Sequence, residues 1–485
     1  MIGRQDRWQE DLFVAGSLRE LVPEDHVLRR VDAVLDLGWL EAEVRECYCE
    51  DNGRPSIAPE AAVRLMLAGF FAGIVHDRKL LREAQVNLAI RWFAGYRLHE
   101  RLPDHSSLTR IRQRWGPERF RRIFERTVTQ CRAHGLVSAE TVHVDATLIR
   151  ANVSWESITA GHAERLWREN PEEPSREGAA PEGEPPESPP RAKKRSRTDP
   201  DATLTTSNPR RPLEPSYKQH TAVDDDTGVI LDAEVTTGEA SEGGQLLAQI
   251  ERIEQTTGQT ITTLTADAGY AHGGNYQALA ERGAEAVIPP QPEARNGRTI
   301  PLRRFKYDAK HQIVRCPGGK VLERRGTTRE GTWYEARAQD CRACPLASRC
   351  LSPHARRRRV LIVDGYPALL RARRGRGRWD ARKRDLYRRH RFRVEGVHGE
   401  AKTQHGLGRA VRRGLANVAI QAYLTAAVIN LKRLAALRRG PLGRLCSLVH
   451  GIIGPLRTIR RLWALLRPRP RIPTAPPAPA MGHPS

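Results

Sequence analysis

The stretch R-F-R-V-E-G-V-H-G-E-A-K, residues 391–402, decides how the rest of the chain is interpreted. At roughly 100° per residue of helix, Arg391, Glu395 and Lys402 fall within about 40° of one another. One helical face would therefore carry a carboxylate between two cations. A carboxylate is a hard oxygen ligand for Mg²⁺, and the cations suit phosphate oxygens. The alternative is an ordinary solvated charge face with i, i+4 pairing.

Two earlier segments each bring an aspartate to the end of a β-branched run. In T-V-H-V-D-A-T-L-I-R, residues 141–150, apolar and polar side chains alternate, which predicts a strand that ends at Asp145. In T-I-T-T-L-T-A-D-A-G-Y, residues 260–270, a second strand would end at Asp267, before a glycine turn. Two aspartates on strands and a glutamate on a helix could together hold a pair of divalent ions for phosphoryl transfer.

These three motifs resemble those of the DDE transposases of bacterial insertion sequences. The similarity rests on D-A-T-L-I-R-A-N from Asp145, D-A-G-Y from Asp267 and the R-x3-E-x6-K pattern within residues 391–402. Members of that family usually carry a tyrosine three residues before the arginine of the last motif. Here Arg388 occupies that place, and Tyr387 precedes it. The three motifs occur in the order that the family shows.

The resemblance covers about residues 10 to 437 and implies a mixed α/β fold. The expected architecture is an RNase H-like catalytic domain with a Cys-containing insertion, preceded by an all-α N-terminal DNA-binding domain. The resemblance also implies that Asp145, Asp267 and Glu395 are catalytic and ligate two Mg²⁺ or Mn²⁺ ions. The residues near the last motif that would contact phosphate or DNA are Tyr387, Arg388, Arg391 and Lys402.

The overall charge predicts a polyanionic partner. The 485 residues include 81 Lys plus Arg against 57 Asp plus Glu, which gives a net charge of +24. Such an excess most often indicates nucleic acid, and the resemblance specifies double-stranded DNA, as element ends and as target. A homodimer on DNA is expected on the same ground. No Walker-type G-x4-G-K-[ST] occurs, so ATP dependence is not indicated.

The sequence carries no indication of export or of a membrane partner. The first 20 residues are charged, and no uninterrupted apolar run reaches 18 residues. Eight cysteines in a long chain without an export signal favour a reducing compartment. We therefore expect a cytoplasmic, nucleoid-associated protein.

Residues 1–136 are predicted to form the helical N-terminal DNA-binding domain. Within them L-P-D-H-S-S-L-T-R-I-R-Q-R-W, residues 102–115, places a turn before a basic helix. This arrangement resembles a helix-turn-helix with Asp104 or Ser106 as N-cap. The alternative is a helical bundle whose basic face only touches phosphates. The side chains available for DNA are Arg110, Arg112 and Arg114.

The predicted catalytic domain comprises residues 137–167 and 213–437. Between these parts, residues 168–212 are rich in Pro, Glu, Ser and Arg, which predicts a disordered linker insertion. A helix is expected at 155–167, and a β-hairpin with a D-D-D-T-G turn at 217–238. An RNase H-like layer has its elements in a characteristic order, which this region matches: strand, hairpin, helix, strand, helix, strand and then the Glu395 helix. Periodicity alone indicates only a mixed α/β domain.

A basic insertion at residues 301–370 holds the cysteine pattern C-P-G-G … C-R-A-C-P-x4-C. The pattern offers one C-x2-C pair, a distant cysteine before it and a near one after it. Four thiolates would make a tetrahedral structural zinc site, against the alternative of reduced cysteines without metal. The four residues are Cys316, Cys341, Cys344 and Cys350.

Residues 438–485 are expected to hold a basic helix and a disordered Pro-rich tail. Taken together, the motifs predict an insertion-sequence transposase that cleaves DNA at element ends and transfers the strands. One alternative is a catalytically inactive, transposase-derived DNA-binding regulator. The other is a metal-dependent nuclease without strand transfer.

Overall fold

Helices form the described N-terminal part of the chain. The computed structural model describes residues 16–49, 56–153, 158–160, 194–205, 213–291, 299–328 and 330–437. The helices before the first strand are α1 (Leu18–Leu21), α2 (Val27–Asp32), α3 (Leu40–Val44), α4 (Pro59–Phe71), α5 (Asp77–Val86), α6 (Leu88–Phe93) and α7 (His105–Ala133).

Local chemistry explains where two of these helices begin. Helix α4 starts with Pro59 in its first turn, where the missing N–H has no intrahelical partner to lose. Helix α7 is capped by Asp104, whose carboxylate accepts from the Ser106 N–H at 2.8 Å, so one of the two expected N-caps is correct. Gly116, at φ 69°, kinks α7 directly before Pro117.

A mixed sheet lies at the centre of the molecule. Its strands are β1 (Thr141–Arg150), β2 (Ile158–Ala160), β3 (Lys194–Ser196), β4 (Thr203–Thr205), β5 (Glu214–Asp224), β6 (Ile230–Thr237), β7 (Thr263–Ala266) and β8 (Glu285–Val287). Strand β1 pairs antiparallel with β5 and parallel with β7, and β6 and β8 lie beyond them. Helices α8 (Leu246–Thr257) and α9 (Gly273–Glu281) connect β6 to β7 and β7 to β8. The mixed α/β fold and the 217–238 hairpin are thus confirmed.

Three local expectations are wrong. Strand β1 does not end at Asp145 but continues to Arg150, because β5 supplies antiparallel partners along its whole length. The helix expected at 155–167 is not present at residues 158–160, which form β2. The predicted linker 168–212 contributes β3 and β4, and β4 pairs with the start of β5. A sheet edge offers unpaired backbone groups that even a polar segment can use. The rest of these two segments lies outside the described residues.

A second, antiparallel sheet spans the cysteine-containing region. It consists of β9 (Lys306–Asp308), β10 (Ile313–Arg315), β11 (Val321–Thr328), β12 (Gly331–Glu335) and β13 (Arg359–Val363), in that order. Two short helices, α10 (Ala338–Arg342) and α11 (Ala347–Cys350), lie between β12 and β13. Phe305, Val314, Leu322 and Tyr334 belong to a small hydrophobic core that is separate from the main one.

Three helices complete the described chain: α12 (Tyr366–Gly375), α13 (Ala381–Gln404) and α14 (Leu415–Leu437). Every residue from Val418 to Leu431 is buried, as expected for a helix that is apolar on nearly all sides. Asn430 joins α14 to the central sheet, since its amide accepts from the Ile230 N–H at 2.8 Å and donates to the Ile230 carbonyl at 2.9 Å.

The N-terminal helices and the central sheet share one hydrophobic core. Residues of that core range from Leu28 of α2 through Val144 of β1 to Ala435 of α14. Within the described ranges, no helix is both long and apolar enough to cross a membrane. The basic helix and the tail expected at residues 438–485 lie outside the described residues.

Candidate active site

The two motif aspartates lie side by side on neighbouring strands. Val144 of β1 pairs in parallel register with Ala266, the last residue of β7; Asp145 is the next residue on β1, and Asp267 follows directly after β7. Each carboxylate accepts a backbone hydrogen bond: Asp145 from the Ala146 N–H at 2.8 Å, and Asp267 from the Gly269 N–H at 2.7 Å. The central sheet therefore brings together the residues that the two earlier motifs singled out.

Burial and mutual repulsion make it costly to ionise these carboxyls. Burial, followed by the charges of Asp267, Glu242 and Glu395, raises the pKa of Asp145 to about 7, although the Ala146 N–H opposes the rise. Burial, and then the charge of Glu242, also raises the pKa of Asp267. The group is short of positive charge, and a bound cation would relieve the repulsion.

Helix α13 packs across β1 and β7 and carries the third motif. As predicted, Arg391 and Glu395 share a helical face, with Arg391 Nε 3.3 Å from Glu395 Oε1. Lys402 lies instead near Asp145 and Arg150: burial and the charge of Arg150 lower its pKa, while Asp145 opposes the fall. The motif cations therefore occupy two different environments.

In this conformation Glu395 pairs with Arg391 instead of closing a cluster with Asp145 and Asp267. Accordingly, across the described ranges, no three or more His, Cys, Asp or Glu side chains are arranged to hold a metal ion. The kind of donor is nevertheless suitable, because carboxylate oxygens are the ligands that Mg²⁺ and Mn²⁺ prefer.

Tyr387 and Arg388 face in different directions. Tyr387 packs edge-on against Trp379, with ring centroids 5.7 Å apart, and stacks on His390 at 6.0 Å. Burial, and then the charge of Asp267, raise the pKa of Tyr387. Arg388 is 79% exposed and pairs with Asp385 at 3.4 Å. The tyrosine displaced by one position is thus the residue nearer the site.

Buried histidines support the site without being suited to act as bases. The Nε2 of His398 shares a hydrogen bond of 3.1 Å with the Thr221 hydroxyl, and its Nδ1 lies 3.9 Å from an oxygen of Asp145. Burial lowers the pKa of both His398 and His390 to about 3, so both rings are neutral at physiological pH. His143 is completely buried and bonded on both ring nitrogens.

Two side chains that the sequence motifs did not single out complete the acidic region. Glu242 lies in the connection after β6, and its charge acts on both aspartates. Tyr270, the last residue of D-A-G-Y, is completely buried. Burial raises the pKa of its hydroxyl, and the charges of Asp145, Glu242 and Asp267 raise that pKa further. No periodic pattern marks Glu242, whereas Tyr270 could have been found as the one large side chain within the second motif.

The expected DNA-binding arginines of α7 are not equivalent. Arg110 and Arg114 are exposed, and Arg114 lies over the Tyr48 ring at 4.7 Å. Arg112 is only 3% exposed and donates to both carboxylate oxygens of Asp77, at 2.7 and 2.9 Å. The expectation that Arg112 contacts DNA is therefore wrong for this structure, because its guanidinium is engaged in a buried ion pair.

The four cysteines of the second sheet line one small cavity. A Cβ added at Gly318 would lie 3.3 Å from Cys344 Sγ and 3.6 Å from Cys316 Sγ. None of the four cysteines forms a disulfide. The pKa of the Cys350 thiol is raised, first by burial and then by the other three cysteines, while Arg358 opposes the rise. A tight turn forms at the first cysteine, where the Cys316 N–H donates to the Lys320 carbonyl at 2.8 Å.

Two protein-family models match the chain. Residues 16–114 match a transposase domain known as DUF772, and residues 315–435 match a transposase DDE domain. The second match includes Glu395 and the four cysteines of the second sheet. No curated protein sequence matches the chain significantly.

Solved transposase structures are similar only at low identity. The Mos1 transposase paired-end complex with the left transposon end is 10% identical, with 49% of this chain and 61% of the Mos1 chain covered and a TM-score of 0.16. The Mos1 mariner paired-end complex with Mn is 12% identical, with 52% and 68% covered and a TM-score of 0.16. The piggyBac synaptic complex with hairpin DNA is 10% identical, with 93% and 86% covered and a TM-score of 0.28. These TM-scores are too low to carry the assignment.

The assignment therefore comes from the two family matches, which flank the strands that bear Asp145 and Asp267. They define the class of the protein as a transposase, an enzyme that acts on DNA. Within that class, the match over residues 315–435 is to the DDE type of transposase domain.

Proposed function

We propose that this transposase serves a bacterial insertion sequence, cleaving DNA at the ends of the element and transferring the strands to a target. The observation that carries the proposal is the side-by-side position of Asp145 on β1 and Asp267 directly after β7, with Glu395 on the helix that packs across both strands. The strand order β6-β5-β1-β7-β8, with β1 central, supports an RNase H-like core.

Asp145, Asp267 and Glu395 would hold divalent Mg²⁺ or Mn²⁺. The fit is electrostatic: these carboxyls raise the pKa of Asp145 because they repel one another, and a cation removes that repulsion. Ions held there would supply the positive charge that favours ionisation of an attacking water or DNA 3′-OH and that offsets the charge of the departing 3′ oxygen. Amides in place of the acids could not supply the charge that offsets two dications.

The protein's own cations have separate tasks in this proposal. Arg391 releases Glu395 and contacts a phosphate near the cleaved bond, which its 72% exposure allows. Lys402 stays beside Asp145, where burial and Arg150 make its charge costly until a phosphate arrives. Arg388, on the exposed side of α13, contacts the DNA backbone further away, and Tyr387 contacts DNA beside Asp267.

DNA ends would be recognised by helix α7. Arg110 and Arg114 are the cations available on its exposed face, whereas Arg112 stabilises the helix through Asp77. A helix that presents arginines beside a capped N-terminus can enter a major groove. We also propose that two copies act together on the two element ends, as the family resemblance implies.

The second sheet would be stabilised by zinc. Cys316, Cys341, Cys344 and Cys350 line one cavity with free thiols, and thiolates are the ligands that structural zinc prefers. Small movements of the side chains would be needed, since the thiols do not form a closed metal site in this conformation. Zinc there would fix the two short helices α10 and α11 against β10 and β11.

The direct test uses the full-length protein, DNA carrying one element end, a target plasmid and Mg²⁺. Cleaved ends together with joined products are expected. Cleavage without joining would identify a nuclease, and DNA binding without cleavage in Mg²⁺ or Mn²⁺ would identify a regulator. The presence of all three carboxylates argues against the regulator.

A further inference from the structure

Glu242 enters the acidic region from the connection between β6 and α8. Its Oε1 lies 3.0 Å from the Nζ of Lys218 on β5, and its side chain is 27% exposed. Lys218 is fixed in turn, because its Nζ also donates to the Ala240 carbonyl at 2.9 Å. One oxygen of Glu242 is therefore held by a lysine, and within the described ranges no residue forms a hydrogen bond with the other.

The second oxygen of Glu242 lies close to Asp267. A Cβ added at Gly269 would lie 2.6 Å from Glu242 Oε2 and 2.9 Å from Asp267 Oδ1, so these two oxygens are at most 5.5 Å apart. Opposed oxygen ligands of Mg²⁺ are about 4.2 Å apart, given bonds of about 2.1 Å. The glycine of D-A-G-Y is thus the residue that lets the two carboxylates approach each other.

The hydroxyl of Tyr270 provides an independent observation. The side chain is completely buried, and no described residue forms a hydrogen bond with its hydroxyl. The charges of Asp145, Glu242 and Asp267 all act on this hydroxyl. A buried donor without a partner among the described residues, on the residue three positions after Asp267, points to a ligand bound beside that aspartate.

We propose that Glu242 is a fourth carboxylate of the catalytic site and helps to hold the divalent cation beside Asp145 and Asp267. This inference rests on the proposed metal-dependent function. In this proposal Glu242 joins Asp145 and Asp267 through a change in side-chain position alone, whereas Glu395 must first leave Arg391.

The competing explanation is an ion pair with Lys218 that only stabilises the fold. That role would change the free energy of unfolding of a Glu242 variant but not its affinity for a cation. The two roles are therefore separated by measuring binding of Mn²⁺ directly, in full-length metal-free protein, from the loss of the electron paramagnetic resonance signal of free Mn²⁺. Circular dichroism in the absence of metal establishes that each variant is folded.

Glu242→Gln is expected to weaken Mn²⁺ binding on the order of tenfold or more. Glu242→Asp, which keeps the charge on a shorter side chain, is expected to give an intermediate affinity. The matched control is Glu239→Gln, the same change three residues earlier on the exposed surface of the connection, and it should bind like wild type. Wild-type affinity in folded Glu242→Gln, or equal losses in both Gln variants, would overturn the proposal.

Asp267→Asn separates failure of this inference from failure of the proposed function. If Asp267→Asn loses Mn²⁺ binding and Glu242→Gln does not, the catalytic site stands and Glu242 is only structural. If neither variant changes Mn²⁺ binding, the metal site itself is assigned to the wrong residues. Should Glu242→Gln not fold, the comparison of Glu242→Asp with wild type decides, since unchanged affinity there would contradict a role as ligand.

Discussion

Arg391 and Glu395 form an ion pair of 3.3 Å on one exposed face of α13, with side chains that are 72% and 61% exposed. Pairs of this kind contribute between about 0 and 1 kcal/mol to stability, because water screens both charges. The carboxylate that the DDE assignment requires is therefore held only weakly by its partner. In the proposed function it turns toward the aspartates, where a cation and DNA would offer stronger interactions.

Arg391→Ala is expected to leave the free energy of unfolding within about 0.5 kcal/mol of wild type and to weaken binding of element-end DNA. The slope of the logarithm of the binding constant against the logarithm of salt concentration should become shallower by about one unit, which corresponds to the loss of one phosphate contact. Fluorescence anisotropy across a salt series measures both quantities. Arg45→Ala, which removes the same charge from another exposed i, i+4 pair, is the control. Equal effects in both variants would show that Arg391 has no specific contact.

The stability of the metal-free protein should depend on Asp145 in a defined pH window. Because burial and its neighbours raise the pKa of Asp145 to about 7, the folded state binds more protons than the unfolded state between pH of about 4 and 7. Stability is therefore lost as the pH rises through that window. Asp145→Asn should match wild type near pH 4 and be more stable at pH 8, by a few kcal/mol at most.

Urea unfolding of both proteins in EDTA, at pH 4.5 and pH 8, measures this difference. Added Mn²⁺ should raise the stability of wild type at pH 8 and narrow the gap, since a cation relieves the same repulsion. A difference between the two proteins that is equal at both pH values would contradict the buried, repelled state of Asp145.

Replacing Arg112 should mainly lower stability, whereas replacing Arg110 should mainly weaken DNA binding. Arg112→Ala leaves Asp77 buried with Arg412 as its one charged partner among the described residues, and we expect a loss of about 3 kcal/mol in the free energy of unfolding. Arg110→Ala should change stability by less than about 0.5 kcal/mol and weaken DNA binding. Urea unfolding and DNA-binding titrations distinguish them. A stable Arg112→Ala variant with weakened DNA binding would restore the helix-turn-helix interpretation for that residue.

The cysteine cluster should bind one zinc ion per chain. Elemental analysis of the purified protein is expected to find that zinc, and Cys344→Ser should lose it and unfold at a lower temperature. Cys49→Ser is the control, because Cys49 is exposed and outside the cluster. Wild-type protein purified without zinc, and insensitive to added zinc in thermal unfolding, would leave the cysteines as ordinary reduced thiols.

Local signals were enough to predict the elements that carry the site. Alternation around Asp145 and the β-branched run before Asp267 predict the two strands, because period-two patterns reflect a residue's own neighbours. The helical spacing of Arg391 and Glu395 predicts their pairing for the same reason. The parallel register that sets the two aspartates side by side is not visible in either segment alone.

Long-range pairing explains what could not be predicted. The guanidinium of Arg112 is buried because it pairs with Asp77, 35 positions earlier in the chain. Glu242 lies near Asp267 because Gly269, in another segment, has no side chain to separate their carboxylates. Residues 203–205 form a strand because the free edge of β5 is available to them. The composition of residues 168–212 predicts a linker because composition reflects only the polarity of a segment. It does not show which unpaired backbone groups of a neighbouring strand the segment can bond to.

The most direct test of the catalytic assignment compares wild type with Glu395→Gln in cleavage of DNA that carries the element's own end, in the presence of Mg²⁺. Wild type should cut at the end, and Glu395→Gln should bind the same DNA without cutting it. That result would support the set of Asp145, Asp267 and Glu395. Equal cleavage by both proteins would contradict it and show that another carboxylate is the third member.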